Sequence, residues 1–268
     1  MRSLKKALTL SAFFLGHQQA APKSALIAFC LLCAFPAYSD DCQPPLPSQS
    51  VMISSVVDGD TVRLADGRKV RLIGVNTPEL YSDSVPQAGA LEAKRYVSQL
   101  VGGQRVELFL GDEPKDRYGR TLAYLMVGGK TLSQSVIERG LGWAISVPPN
   151  DRLSACFFTA ERMARRAKLN LWQAELPRAK TLTQSGFAVL HGSVSNIEST
   201  AKHTYIELDD RLAVRVPKGW PLLNVLSVGR SIEVRGWVRD RRSSLKNNDR
   251  FKPFLLTVND ERHITLRN

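Results

Sequence analysis

The first alternation of apolar and polar positions runs from Ser50 to Leu64. There VMISSVVDGDTVRL reads as a strand, a brief acidic turn and a second strand. Asp66-Gly67 closes a hairpin, and Lys69–Val75 forms the next strand. The period then changes. Residues 86–101, PQAGALEAKRYVSQLV, mix Ala, Leu, Glu and Lys at helical spacing and stop at Gly102-Gly103. QRVELFL and TLAYLMV are strands around the polar insert GDEPKDRYGR, and TLSQSVIERG is a helix ending at Gly140. NDRLSACFFTAERMARRAKLNLW reads as a long helix opened by an Asn-Asp cap, with Leu153, Phe157, Ala160, Ala164, Ala167 and Leu171 as its apolar stripe. The expectation for this half is a small α+β domain ending near Trp172, followed by a linker around Gln173–Thr183.

Beyond the linker the pattern is β throughout. FAVLHGSVSNIEST, HTYIELDD, LAVRVP, SIEVRGWVRD and FLLTVND are five short strands, with one weak helix in WPLLNVLSVG. A helix between the third and fourth of five strands is the order of an OB-type barrel, and an unrelated small β-barrel is the alternative.

The N-terminal end differs from both halves. No acidic residue precedes Asp40, and Arg2, Lys5, Lys6 and Lys23 precede the apolar run SALIAFCLLCAF at 24–35. Ala37-Tyr38-Ser39 then places small residues where a signal peptidase reads them. Residues 1–39 are therefore expected to be a signal peptide, and the protein to be exported to the periplasm or secreted. The run of 12 apolar residues is shorter than the roughly 20 a membrane helix needs, so no stable membrane association is expected after cleavage. An uncleaved anchor is the alternative, because ALTLSAFFLG lies upstream. Cleavage removes four basic residues and leaves 33 Lys and Arg against 25 Asp and Glu, a net charge of +8. Such a balance favours polyanionic partners or simply serves solubility. Of four cysteines, Cys42 and Cys156 remain as an even pair. They form either a disulfide tying the N-terminal arm to the helix of Cys156, or two unpaired thiols.

Candidate chemistry concentrates in VVDGDTVRLADGRKVRLIGVNTPE, residues 56–79. Asp58 and Asp60 lie two apart and share a face in extended chain, which suits a hard divalent cation; ordinary D-G-D turn chemistry is the alternative. Arg71 sits among apolar residues, where a guanidinium needs a cleft or an anion unless its strand face is exposed. Glu79 follows Thr77-Pro78, whose turn could hold its carboxylate beside a cleft to deprotonate a water; the alternative is a solvated loop charge. Asp116-Arg117-Tyr118-Gly119-Arg120 has the makings of a phosphate clamp. Together these parts suggest phosphodiester cleavage.

DGDTVRL…RKVRLIGVNTPE, DRYGRTLAY and LNLW, in this order, resemble the staphylococcal nuclease (thermonuclease) family from about Val51 to Trp172. The resemblance implies a five-stranded OB-type barrel with three helices over residues 50–174, cleaving DNA, RNA or both with Ca2+. Another divalent cation such as Mg2+ is the alternative. It implies that Asp60, Asn76 and the Thr77 carbonyl bind metal and that Asp58 supports them. Arg71, Glu79 and Arg120 are then catalytic, and Arg117 and Tyr118 contact a terminal substrate phosphate. Asn76 stands where the family usually has a second calcium-binding aspartate. GWAISVPP at 142–149 lacks the tyrosines that pack on base and sugar, and Trp143 is read as core.

The fold class expected is thus mainly β with helices, a nuclease barrel followed by an OB-like barrel over residues 184–268, acting as a monomer. His191, His203 and His263 have no partners at metal or triad spacing. Tyr205, Trp220 and Trp237 beside Arg235–Lys252 fit single-strand binding or a barrel core with a solvated loop. A non-catalytic nucleic-acid-binding protein with a degenerate nuclease domain is the rival function. Arg71→Ala and Glu79→Ala are each expected to remove activity and leave the fold intact.

Overall fold

The protein is described from a computed structural model over residues 42–80, 86–245 and 251–267. The expected signal peptide, with Cys30 and Cys33, and residues 246–250 of the basic loop lie outside the described residues. Two closed barrels make up the fold.

In the first, β1 (Gln49–Val56), β2 (Thr61–Leu64), β3 (Lys69–Leu72), β5 (Arg105–Lys115) and β6 (Thr121–Val127) form the ring. A parallel β3–β6 pairing closes it, with β7 (Lys130–Thr131) at the edge of β6. Val51 and Ile53 of β1 point inward and Met52 outward, as a period of two demands. Three helices cover the barrel. α1 (Ala90–Val101) buries Ala90, Ala93, Val97 and Val101 on one stripe. α2 (Leu132–Glu138) is capped by Thr131, whose hydroxyl accepts from the Gln134 N–H at 3.2 Å. α3 (Ser154–Arg166) inserts fully buried Phe157 against Gly74. Cys42 and Cys156 are joined in a disulfide, their Cα atoms 5.7 Å apart.

In the second barrel, β9 (Gly186–Ser199), β10 (His203–Leu208), β11 (Leu212–Pro217), β12 (Ser231–Asp240) and β13 (Phe254–Thr257) form the ring, closed by β12–β13. The long β9 pairs with β12 along its first half and with β10 along its second. Ile206, Leu208, Val214, Val216, Ile232, Val234, Phe254 and Leu256 fill it.

Several expected elements are corrected. The strand over 69–75 breaks after Leu72, and Val75–Asn76 instead forms β4, paired with β8 (Trp143–Ala144). Strand β5 continues into the polar insert as far as Lys115. The long helix starts at Ser154, not at an Asn-Asp cap, because Asn150 is occupied elsewhere: its amide bonds the Glu113 backbone at 3.0 and 2.8 Å. It stops at Arg166, since Lys168 and Asn170 are left-handed, so Ala167 is exposed and leaves the stripe. The helix in WPLLNVLSVG is a 3-10 turn, Pro221–Val225, and an additional strand β14 (Ile264–Leu266) joins β12.

The barrels meet where α3 faces β12. Arg235 pairs with Glu161 at 2.7 Å and with Glu233 at 3.1 Å, all three buried, and Arg165 grips Glu233 at 2.6 Å. Burial alone would raise the Glu233 pKa, but its pairs with Arg165 and Arg235 outweigh that and hold it below the usual carboxylate range. His263 accepts the Ser146 N–H at 2.8 Å in the same seam.

Candidate active site

Hairpin register builds the centre of the site. Thr61 stands opposite Arg71 across β2 and β3, so Asp60, one residue earlier, lies against the Arg71 side chain. Asp60 Oδ1 is 3.1 Å from Arg71 Nε, and Asp60 Oδ2 accepts the Thr77 N–H at 2.8 Å and the Thr77 hydroxyl at 3.1 Å. Gly59 makes this approach possible. A Cβ there would sit 2.6 Å from Ala93 Cβ and 2.8 Å from the Thr77 side chain, so the D-G-D turn needs glycine for close packing against α1. Asp58 does not join Asp60 as a matched pair. Its Oδ1 accepts the Asp60 N–H at 3.0 Å, and burial together with the Asp60 charge pushes its pKa up to about 7.

Arg71 is buried and already ordered. Its Nη1 donates to the carbonyls of Leu72 and Val75, each at 2.7 Å, and its Nη2 donates to Asn76 Oδ1 at 3.0 Å. The guanidinium thereby fastens the turn that Gly74 makes at φ +83°, and the break in the β3 strand is the geometry that lets it do so. Asn76 Nδ2 in turn donates to the Thr77 carbonyl at 3.3 Å.

Arg120 enters from the loop between β5 and β6. Asp116, whose role sequence reasoning missed, is its anchor: one carboxylate oxygen accepts the Tyr118 and Arg120 N–H groups, both at 2.9 Å, and the other binds Arg120 Nε at 2.6 Å. Burial opposes ionisation of Asp116, and these bonds overcome it, lowering the pKa. The available signal was an Asp four residues before an Arg across a glycine turn. Arg117 donates to Tyr118 Oη at 2.7 Å, and the exposed Tyr118 ring lies under both arginines, 4.8 Å from Arg117 and 5.7 Å from Arg120.

Glu79 is exposed on the rim, its backbone N–H bonded to Gln87 Oε1 at 2.9 Å. Its carboxyl leans into the cleft, where partial desolvation and the Asp60 charge raise its pKa against the pull of Arg71 and Arg120. The cleft consists of two adjoining recesses. Arg71, Leu122, Val147 and Arg120 line a cavity of 180 Å³, while Glu79, Arg117, Tyr118 and Arg120 line one of 840 Å³. Trp237, from the second barrel, lines both.

The structure thus brings Asp60, Arg71, Asn76 and Thr77 into one bonded cluster, and places Glu79, Arg117, Tyr118 and Arg120 around the adjoining cleft. The donor set at the cluster (the Asp60 carboxylate, the Asn76 amide oxygen, the Thr77 carbonyl) is all oxygen, as a hard divalent cation requires. It holds one carboxylate only; among the described residues no three or more Asp, Glu, His or Cys converge as a metal site. Trp143 is half-buried and packs on Phe187 with ring centroids 5.4 Å apart. Trp220 packs on the second core, whereas Trp237 is 47% exposed.

Residues 69–174 match the family model described as staphylococcal nuclease homologue. The chain is 37% identical to the thermonuclease of Staphylococcus intermedius over 129 residues, covering 47% of this chain and 77% of that protein. With the thermonuclease of Staphylococcus hyicus the identity is 34% over 128 residues, covering 46% and 76%. With endonuclease YncB of Bacillus subtilis it is 31% over 144 residues, covering 52% and 66%. The second barrel lies outside the stretch that the family model matches.

Proposed function

Because the chain belongs to the staphylococcal nuclease family, we propose that it hydrolyses phosphodiester bonds of DNA, RNA or both at the cleft between Arg71, Glu79 and Arg120. The observation that carries this reading is the pair of anchored guanidinium groups flanking one cleft whose rim bears a carboxylate. Arg71, fixed by two carbonyls and Asp60, and Arg120, fixed by Asp116, can stabilise the charge that builds on phosphorus without reorganising. Glu79 takes the proton of the attacking water. Asp60, Asn76 and Thr77 would hold a Ca2+ or Mg2+ ion, which when bound would polarise a phosphate oxygen.

The chain is proposed to act as an exported monomer, after loss of residues 1–39, in the periplasm or outside the cell. The Cys42–Cys156 disulfide supports an oxidising compartment, and among the described residues no helix is long and apolar enough to cross a membrane. Incubation of the mature protein with plasmid and single-stranded DNA, with calcium and then with chelator, tests the reading. Nicking that chelator abolishes is expected. Binding without cleavage under every divalent cation would instead make the chain a nucleic-acid-binding protein with a degenerate site.

A further inference from the structure

Strand β12 is buried on both faces for most of its length. Ile232, Val234 and Val238 point into the second barrel, and the alternate residues Glu233 and Arg235 point at α3 of the first. Trp237 is the next residue on that alternate face, about 6.6 Å beyond Arg235, and it emerges where the interface ends. The residue is 47% exposed and lines the cleft together with Arg71, Arg120, Leu122 and Val147. It is also held. Phe187, paired with it across β9 and β12, meets it edge-on at 5.2 Å, and Trp143 also packs on Phe187, at 5.4 Å. Trp143 is the strand partner of Asn76, so this aromatic ladder begins at the metal-candidate cluster.

Large apolar rings held open to water beside two phosphate-binding arginines have one chemistry in common with a nucleic acid, which is stacking on a base. Over 142–149 the first barrel lines the cleft with Ile145, Val147 and Pro148, while Trp143, the one aromatic ring of that stretch, packs on Phe187. We infer that Trp237 is a substrate-binding residue of the nuclease cleft, supplied by the second barrel, on which a base of single-stranded DNA or RNA next to the scissile phosphate stacks. The inference rests on the nuclease reading for the identity of the strand, and gives the second barrel a part in building the site itself. The salt-bridged seam of Glu161, Arg165, Glu233 and Arg235 holds the ring in register with the arginines.

The test is a coupling experiment on the full mature chain in a Glu79→Gln background, so that the strand survives. Binding of a mixed-sequence single-stranded oligonucleotide carrying a dye at one end is measured by fluorescence anisotropy, with an abasic nucleotide moved along the strand. Trp237→Leu, which keeps bulk without a ring, is expected to bind the intact strand about tenfold more weakly, and Trp237→Phe to recover most of the loss. At one position the abasic nucleotide is expected to weaken the Trp237 protein about tenfold and the Trp237→Leu protein less than about twofold, because the partner ring is already gone. A merely structural role would leave the abasic penalty equal in both proteins at every position, and that result overturns the inference. Separately, plasmid cleavage by the wild-type chain distinguishes the two readings. Cleavage without coupling rejects the stacking role alone, and coupling without cleavage supports stacking while rejecting the nuclease.

Discussion

At the scale of single residues, the two groups expected to be equivalent in mutation are not. Glu79 is exposed and bonded to the fold through its backbone, so Glu79→Gln is expected to lower cleavage by about a hundredfold or more without moving the unfolding midpoint. Arg71 is 8% exposed and ties down Asp60, Asn76 and two carbonyls. Arg71→Ala is therefore expected to cost about 3–5 kcal/mol of stability as well as activity, because it strands a buried carboxylate. Urea unfolding of the two variants separates them, and an Arg71→Ala chain as stable as wild type would contradict this reading of the site. Asn76 is the other informative position. Asn76→Asp keeps the oxygen that accepts from Arg71 and adds a charge, so Ca2+ should bind about tenfold more tightly, as read by calorimetry in the absence of substrate.

At the scale of elements, the seam between α3 and β12 carries charges out of water, and these are costly to unpair. Arg235→Ala leaves Glu161 and Glu233 buried and is expected to destabilise by about 3–5 kcal/mol, whereas Arg239→Ala on the exposed end of β12 should stay within about 0.5 kcal/mol. The same seam gives stability a pH dependence. Burial, and then the nearby Arg235 charge, depress the pKa of His263 from 6.5 to about 4, while Asp260 and Glu161 oppose and Arg262 adds to the effect. Between these values the unfolded chain binds a proton that the folded chain refuses. Stability is then complete above pH 6.5, falls as pH drops towards 4, and loses about 3 kcal/mol at most. Replacing His263 with Gln, which can still accept the Ser146 N–H, should flatten that stretch of the curve of unfolding free energy against pH.

For the whole molecule, the covalent constraint among the described residues is the Cys42–Cys156 disulfide, which spans 114 residues and fastens the arm before β1 to α3. Its removal by Cys42→Ala with Cys156→Ala is expected to lower stability by about 2–5 kcal/mol, mainly by freeing the unfolded chain. Reductant should reproduce the shift in the urea midpoint of the wild type and leave the double variant unmoved. The second barrel contributes in another way, by adding a wall to a cleft whose arginines belong to the first.

Much of this was legible along the chain, because the signals were local. Alternation marked the strands on either side of Asp58-Gly59-Asp60, and the Asp-Gly turn set the hairpin register that puts Asp60 beside Arg71. The residue types of the candidate site, its arginines and the rim carboxylate of Glu79 could be named from motif and spacing. Other features depend on contacts between distant segments, for which periodicity carries no signal. Nothing local distinguishes an Asn-Asp helix cap from Asn150 bonded to Glu113, or reveals that Phe157 requires Gly74 to lack a side chain. Nor could the alternation of Glu233, Arg235 and Trp237 say what its outer face meets. A period of two assigns each residue a face, and only the packing of one barrel on the other decides that the face buries two charges and then opens a ring onto the cleft.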